Sequence, residues 1–319
     1  TAESCIYHDC HYNGRMIISI LLAIAEIFIF FLLGWVSNKM GLIKEEYIDS
    51  LTNFVIIFLL PSLIFSRIVI NMDADSLLEA WMLPVLGLSI MALGGALGFI
   101  FAKGVREKDE DVIKTFRHFC AVNNYGFFPI IVIGRLWGDE AVAKLFLLNL
   151  GSYIGYWSIG VSLLGKGKLK DILKNLLNPP LIAVLLAAVV VFLRVSSYIP
   201  DFFMMMFDKT GTIAVPFVLI LIGASLHGLP RGKELWDIGY LSLVRLVLIP
   251  AVTILLLLLL PLRNDVYRIA AVVSLMPVAV SSVVITRQYG GSPRFASHSA
   301  VITTMISAVT VPLSVLIIF

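Results

Sequence analysis

Charge is what this sequence has least of. Only 14% of its 319 residues are Asp, Glu, Lys or Arg, against about 25% in soluble globular domains. Apolar residues fill the deficit at 59%. With a mean hydropathy of +0.97, this balance excludes an ordinary water-soluble domain and identifies an integral membrane protein. Cysteine is scarce too, and three residues exclude a disulfide-built scaffold. Cys120 lies in an apolar segment and reads as a small buried hydrophobe. Cys5 and Cys10 share a polar tail at residues 1–15 and leave two readings open: a disulfide if the tail faces an oxidising compartment, or two free thiols. The tail lacks the apolar core of a signal peptide. No Ser/His/Asp cluster, metal-ligand spacing or phosphate-binding glycine loop is placed to act, so no enzyme activity, metal or cofactor is expected. The small net charge of +3 gives no sign of nucleic-acid binding.

What is present is a series of apolar runs of roughly 20 residues, the length an α-helix needs to cross a hydrocarbon layer of about 30 Å. A membrane barrel would show alternating segments of about 10 residues, so the fold expected is all-α. Ten spans are predicted at about 16–37, 50–70, 80–102, 112–135, 140–165, 177–195, 206–228, 235–260, 265–288 and 294–318. Basic loops alternate with less basic ones: Lys39 and Lys44; Lys103, Arg106, Lys108, Lys114 and Arg117; Lys166, Lys168, Lys170 and Lys174; Arg231 and Lys233; Arg287 and Arg294. By the positive-inside rule these loops are cytoplasmic. An even number of crossings then puts both termini outside.

The two halves echo each other. Pro61 and Pro216 are 155 residues apart, and Arg135-Leu136-Trp137-Gly138 recurs as Arg287-Gln288-Tyr289-Gly290 at an offset of 152. The division expected is a tail at 1–15, a first five-helix repeat at 16–165, a basic linker at 166–176 and a second repeat at 177–319. Because five is odd, the copies have opposite orientations, the inverted arrangement of secondary transporters.

Two spans carry breakers in corresponding places. In the fourth, Asn123-Asn124-Tyr125-Gly126-Phe127-Phe128-Pro129 places two amides near mid-membrane, beside a glycine and a proline. In the ninth, Met276-Pro277 precedes Ser281 and Ser282. A broken helix exposes backbone N–H groups and the positive end of a dipole, which favour an anion. The bland alternatives are interhelical hydrogen bonds for the asparagines and bonding back to the preceding turn for the serines. Asn149, Ser152, Tyr153 and Tyr156 form one stripe on the fifth span, and Thr303, Ser307 and Thr310 another on the tenth; both serve either packing or a cavity. The candidate substrate-binding residues are Asn123, Asn124, Tyr125, Gly126, Pro129, Asn149, Tyr153, Pro277, Ser281, Ser282 and Thr303. Ionisable residues inside spans are functional candidates by default: Glu26 is the one acid well inside and a candidate proton or ion site, and Arg245 is the most central base.

At Asn124-Tyr125-Gly126-Phe127-Phe128-Pro129, Met276-Pro277-Val278-Ala279-Val280, Arg287-Gln288-Tyr289-Gly290-Gly291 and Thr303-Thr304, the sequence resembles the auxin efflux carrier family of plant auxin carriers and prokaryotic organic-anion relatives. The resemblance covers nearly everything after Arg15. It implies two inverted five-helix repeats whose fourth and ninth helices break and cross, with helices 1, 2, 6 and 7 as a scaffold and 3–5 and 8–10 as a mobile transport domain. It also implies a homodimer joined through the scaffold, and an asparagine of the fourth helix, here Asn124, holding the substrate carboxylate. An ungapped match puts the family's crossover prolines at Ile131 and Ser282, which leaves Pro129 and Pro277 to make the breaks. The function expected is secondary transport of a small organic anion, auxin-like or a dicarboxylate, by rocking alternating access. The alternatives are a sodium-coupled symporter of the bile-acid type and a membrane sensor that binds a ligand without moving it.

Overall fold

The computed structural model describes the backbone of residues 2–165, 177–225 and 233–319, with side chains at 17–165, 177–225 and 234–319. The helices in chain order are α1 (Ala2–Lys39), α2 (Glu45–Phe54), α3 (Leu60–Asn71), α4 (Ala74–Glu79), α5 (Met82–Phe101), α6 (Glu110–Ala121), α7 (Phe127–Gly155), α8 (Pro179–Phe192), α9 (Asp201–Thr212), α10 (Ala214–Ala224), α11 (Lys233–Leu243), α12 (Ile249–Leu258), α13 (Asn264–Ser274), α14 (Ser282–Tyr289) and α15 (Pro293–Ile318). There is no strand among the described residues. Three π-helical turns interrupt the regular winding: Val55–Leu59 joins α2 to α3, Tyr156–Gly160 extends α7, and Val244–Leu248 joins α11 to α12.

Among the described residues, six helices are long and apolar enough to cross a membrane: Ile17–Lys39, Glu45–Asn71, Ala74–Gly104, Asp201–Ala224, Glu234–Leu258 and Pro293–Ile318. The span expected at 177–195 corresponds to a shorter apolar helix, Pro179–Phe192. Those expected at 112–135 and 265–288 are each split in two, because α6 stops at Ala121 and α13 at Ser274. The second half of the fourth span runs into the fifth through a kink at Gly138, whose φ of 78° lies where only glycine is comfortable. Backbone helix begins at Ala2, so the segment expected as a separate tail continues directly into the first span. The Cys5–Cys10 alternatives and the 166–176 linker lie outside the described side chains and residues.

On α1, Ile20, Ala23, Ile24, Ile27 and Phe31 are buried along one stripe while Leu21, Leu22, Ile29, Leu32 and Leu33 are exposed. Apolar residues on both faces, only one of them packed, are what a helix between protein and hydrocarbon requires. Small residues let the helices approach closely. A Cβ at Gly34 would overlap the Ile220 carbonyl and one at Gly223 the Phe31 backbone, so α1 and α10 touch main chain to main chain. Gly87 against Leu148 and Gly151 against Pro84 do the same for α5 and α7.

Candidate functional site

The two broken spans meet at their breaks. Past Ala121 the chain turns extended, and Asn123 pairs with Val278 as an isolated antiparallel bridge. The Asn124 N–H donates to Pro277 O at 2.7 Å, and Asn123 Nδ2 donates to Val273 O. A scrap of sheet-like pairing thus satisfies backbone groups that two interrupted helices would leave bare in an apolar interior. Pro129 occupies the third position of α7, inside the first turn, where the missing N–H deprives the helix of nothing. Ile131 lies within α7, and Ser282 is the first residue of α14. The break therefore forms without proline at either of those positions.

Arg245 holds the crossing together. It is fully buried within the π-helical turn 244–248. Its Nη1 donates to Cys120 O at 3.2 Å, Nη2 to Ser274 O at 3.0 Å and Nε to Met276 O at 3.2 Å. Cys120 belongs to the last turn of α6, and Ser274 ends α13. One guanidinium therefore caps two converging C-terminal ends, where helix dipoles are negative.

The opposite ends of the crossing are different. α7 begins after Gly126 with no side-chain cap, and a Cβ on Gly126 would meet no atom within 4 Å, so there is room beside this residue. At α14 the N–H groups of Ser282, Val283 and Val284 already donate to the carbonyls of Ala279, Val280 and Ser281. Ser282 itself is fully buried and its hydroxyl has no partner among the described residues, and the same is true of Asn123 Oδ1 and Asn149 Oδ1. Tyrosines line this side. The Tyr125 ring meets Tyr153 edge-on at 5.5 Å and Tyr156 at 6.2 Å, and Tyr156 faces Ser281 and Ser282. Tyr153 follows Asn149 by one turn of α7, which ties that stripe to the crossing.

The structure thus brings together Asn123, Asn124, Tyr125, Gly126, Pro277, Tyr153, Ser281 and Ser282, with Ser281 exposed and the asparagines buried. The Thr303 hydroxyl donates to Ser299 O within α15. Glu26 lies apart: its carboxylate pairs with Arg135 Nη2 at 2.7 Å and Nε at 3.1 Å. Nearby, Arg67 of α3 pairs with Asp139 at 2.9 Å and with Asp208 of α9 at 3.4 Å. Arg135 and Asp139 flank the Gly138 kink, so two ion pairs tie this elbow to α1 and α3. Sequence reasoning marks Arg245 only as a central base and Tyr156 only as a member of a stripe. Nothing in the residue pattern says which carbonyls Arg245 reaches.

Comparison with known proteins places the chain among membrane transport proteins. The sequence profile of a family described as membrane transport protein matches the chain twice, over residues 19–168 and 166–315. The chain is 28% identical to an uncharacterized transporter of Methanocaldococcus jannaschii over 295 residues, 90% of this chain and 95% of that one. It is 23% identical to an uncharacterized transporter of Methanothermobacter thermautotrophicus, also over 295 residues, 91% of this chain and 95% of that one.

Proposed function

Because the chain belongs to the membrane transport protein family through both of its halves, in keeping with its resemblance to auxin efflux carriers, we propose that it is a secondary transporter of a small organic anion working by alternating access. The observation that carries the reading is the crossing: two interrupted helices joined at Asn123–Val278, with room beside Gly126 at the uncapped end of α7. In a bilayer such a break persists where it lines a cavity or a binding site. The substrate carboxylate would lie before Phe127, with Asn124, Tyr125, Tyr153 and Ser282 around it.

The same reading gives the architecture as ten crossings in two inverted repeats, 16–165 and 177–319, with both termini outside. Spans 1, 2, 6 and 7 form the scaffold, and a second copy pairs through it. The pairs Glu26–Arg135 and Arg67–Asp139 then join scaffold to moving domain, and each half of the cycle makes or breaks them. Sodium coupling is the second reading, favoured by the buried and unpartnered Asn123 Oδ1, an acceptor suited to a cation.

The test is uptake of labelled carboxylates into proteoliposomes by the wild type and by Asn124→Ala. A loss of about tenfold or more in the variant is expected, because a buried amide contact to a charged group contributes about 1.5–3 kcal/mol. Full transport by Asn124→Ala removes the site from the crossing, and flux that disappears without sodium promotes the second reading. Ligand binding with no flux at all makes the protein a sensor.

A further inference from the structure

The crossing has a charge balance of its own. Four half-helix ends meet there: Ala121 and Ser274 are C-terminal, Phe127 and Ser282 N-terminal. Each helix end carries about half an elementary charge, negative at the C-terminus and positive at the N-terminus. The four together sum to nearly nothing. Arg245 adds one whole positive charge, fully buried, and its bonds go to three neutral carbonyls.

No carboxylate answers it among the described residues. The buried acid on the same rod, Asp237, is eight residues away, about 12 Å along a helix, and already accepts from the Arg106 and Glu107 N–H groups at 2.8 and 3.0 Å. Nor does a second cation add to it. Arg117, on the last turns of α6, lies over the Phe99 ring at 4.6 Å, and Lys144 is held by Glu140 and Asp265, each at 2.7 Å. His118 has its Nδ1 at 2.8 Å from Gly160 O, away from the three carbonyls that hold Arg245. The groups left for a ligand are neutral ones, above all the buried and unpartnered Ser282 hydroxyl and the tyrosines beside it.

We propose that the crossing takes an anion bearing a single negative charge and discriminates against dianions. Arg245 neutralises the two converging C-terminal ends, and the uncapped N-terminal end of α7, together with the already hydrogen-bonded one of α14, then offers the substrate no more than about one positive charge. One carboxylate completes the balance; a second enters a buried place with nothing to compensate it. The inference deepens the transport reading and rests on it for the location of the site.

Two pairs of probes differ in charge but scarcely in shape: succinamate against succinate, and glutaramate against glutarate, where an amide replaces one carboxylate. The full chain is reconstituted for flux at pH 7.5, and thermal stabilisation by each probe is measured in detergent. The monoanion of each pair should be preferred by about tenfold or more in both readouts, the factor an uncompensated buried charge commands at the least. Equal or better flux of the dianions overturns the charge rule and leaves the transport reading standing. Stabilisation by the monoanions without flux upholds the charge rule and removes transport. Neither flux nor stabilisation with any of the four probes overturns both.

Discussion

Replacing Arg245 by methionine takes away a guanidinium that bonds to the C-terminal ends of both interrupted helices. Three carbonyl oxygens, at 3.0 to 3.2 Å from the guanidinium, lose their donor in an interior that offers no water. Each unsatisfied carbonyl costs about 1–3 kcal/mol, and relief of the buried charge offsets part of this. The net loss is about 3 kcal/mol, near the low end for three such carbonyls once the relief of the buried charge is counted. For chains of 150–250 residues each kcal/mol moves the unfolding midpoint by about 2–4 °C, so a fall on the order of 10 °C is expected for the purified protein in detergent. Arg245→Lys keeps the charge but replaces a planar fork with a single ammonium. It should lie between wild type and Arg245→Met in unfolding temperature, and it should lose transport more than stability, since charge survives while the relative placement of α6 and α13 does not. An Arg245→Met protein that unfolds at the wild-type temperature and transports normally refutes the claim that this side chain pins the crossing.

Three further outcomes follow from particular contacts. Ser282→Ala removes a buried, unpartnered hydroxyl and should leave stability within about 1 kcal/mol of wild type while weakening anion-induced thermal stabilisation; unchanged affinity would mean the hydroxyl does not face the ligand. Gly151→Val forces a Cβ onto the Pro84 backbone, and such overpacking costs about 1–3 kcal/mol or more, to be read from unfolding midpoints against a Gly239→Ala control, where a Cβ meets nothing within 4 Å. Reversing Glu26–Arg135 one residue at a time breaks a partly exposed pair, 32% and 47% accessible, so stability should move by only about 0.2–1 kcal/mol. Transport rate should change by a few-fold, and the double exchange Glu26→Arg with Arg135→Glu should restore it; singles and double all indistinguishable from wild type in flux would show that the pair plays no part in the cycle.

The breaks were legible because helix-breaking residues and buried amides coincide in spans otherwise fit for a membrane. Asn123-Asn124-Tyr125-Gly126 and Met276-Pro277 mark the extended stretches, since each puts glycine or proline deep in an apolar run, with polar side chains beside it. The joining of Asn123 to Val278 was not legible, because pairing between residues half a chain apart depends on how the whole bundle packs. Arg245 was visible as an oddity, a lone cation in an apolar span, but its partners are main-chain carbonyls that every residue possesses. Thr303 is a different case. Its stripe at helical spacing fits a cavity wall or a packing face alike, and its hydroxyl donates to the Ser299 carbonyl, the local bond that threonine makes readily within helices. The ion pairs around Gly138 escaped notice because charges near span ends are ordinary, and only folding brings Glu26 and Arg67 to the same elbow.

The wide turn at Val244–Leu248 has a consequence for the length of the chain itself. A π turn accommodates one more residue than an α-helix of the same rise, and each residue of helix rotates its successors by about 100°. Deleting a single apolar residue from this turn would let the rod relax into regular winding, with a backbone as well satisfied as before and the flanking halves in nearly their former register, since five residues of a wide turn advance about as far around the axis as four of an α-helix. Only the widened turn itself would be lost, and with it the placement of the Arg245 guanidinium against its three carbonyls. Here the aim of the most deeply buried cation is set by one supernumerary residue, and an insertion or deletion that leaves hydropathy untouched is enough to misdirect it.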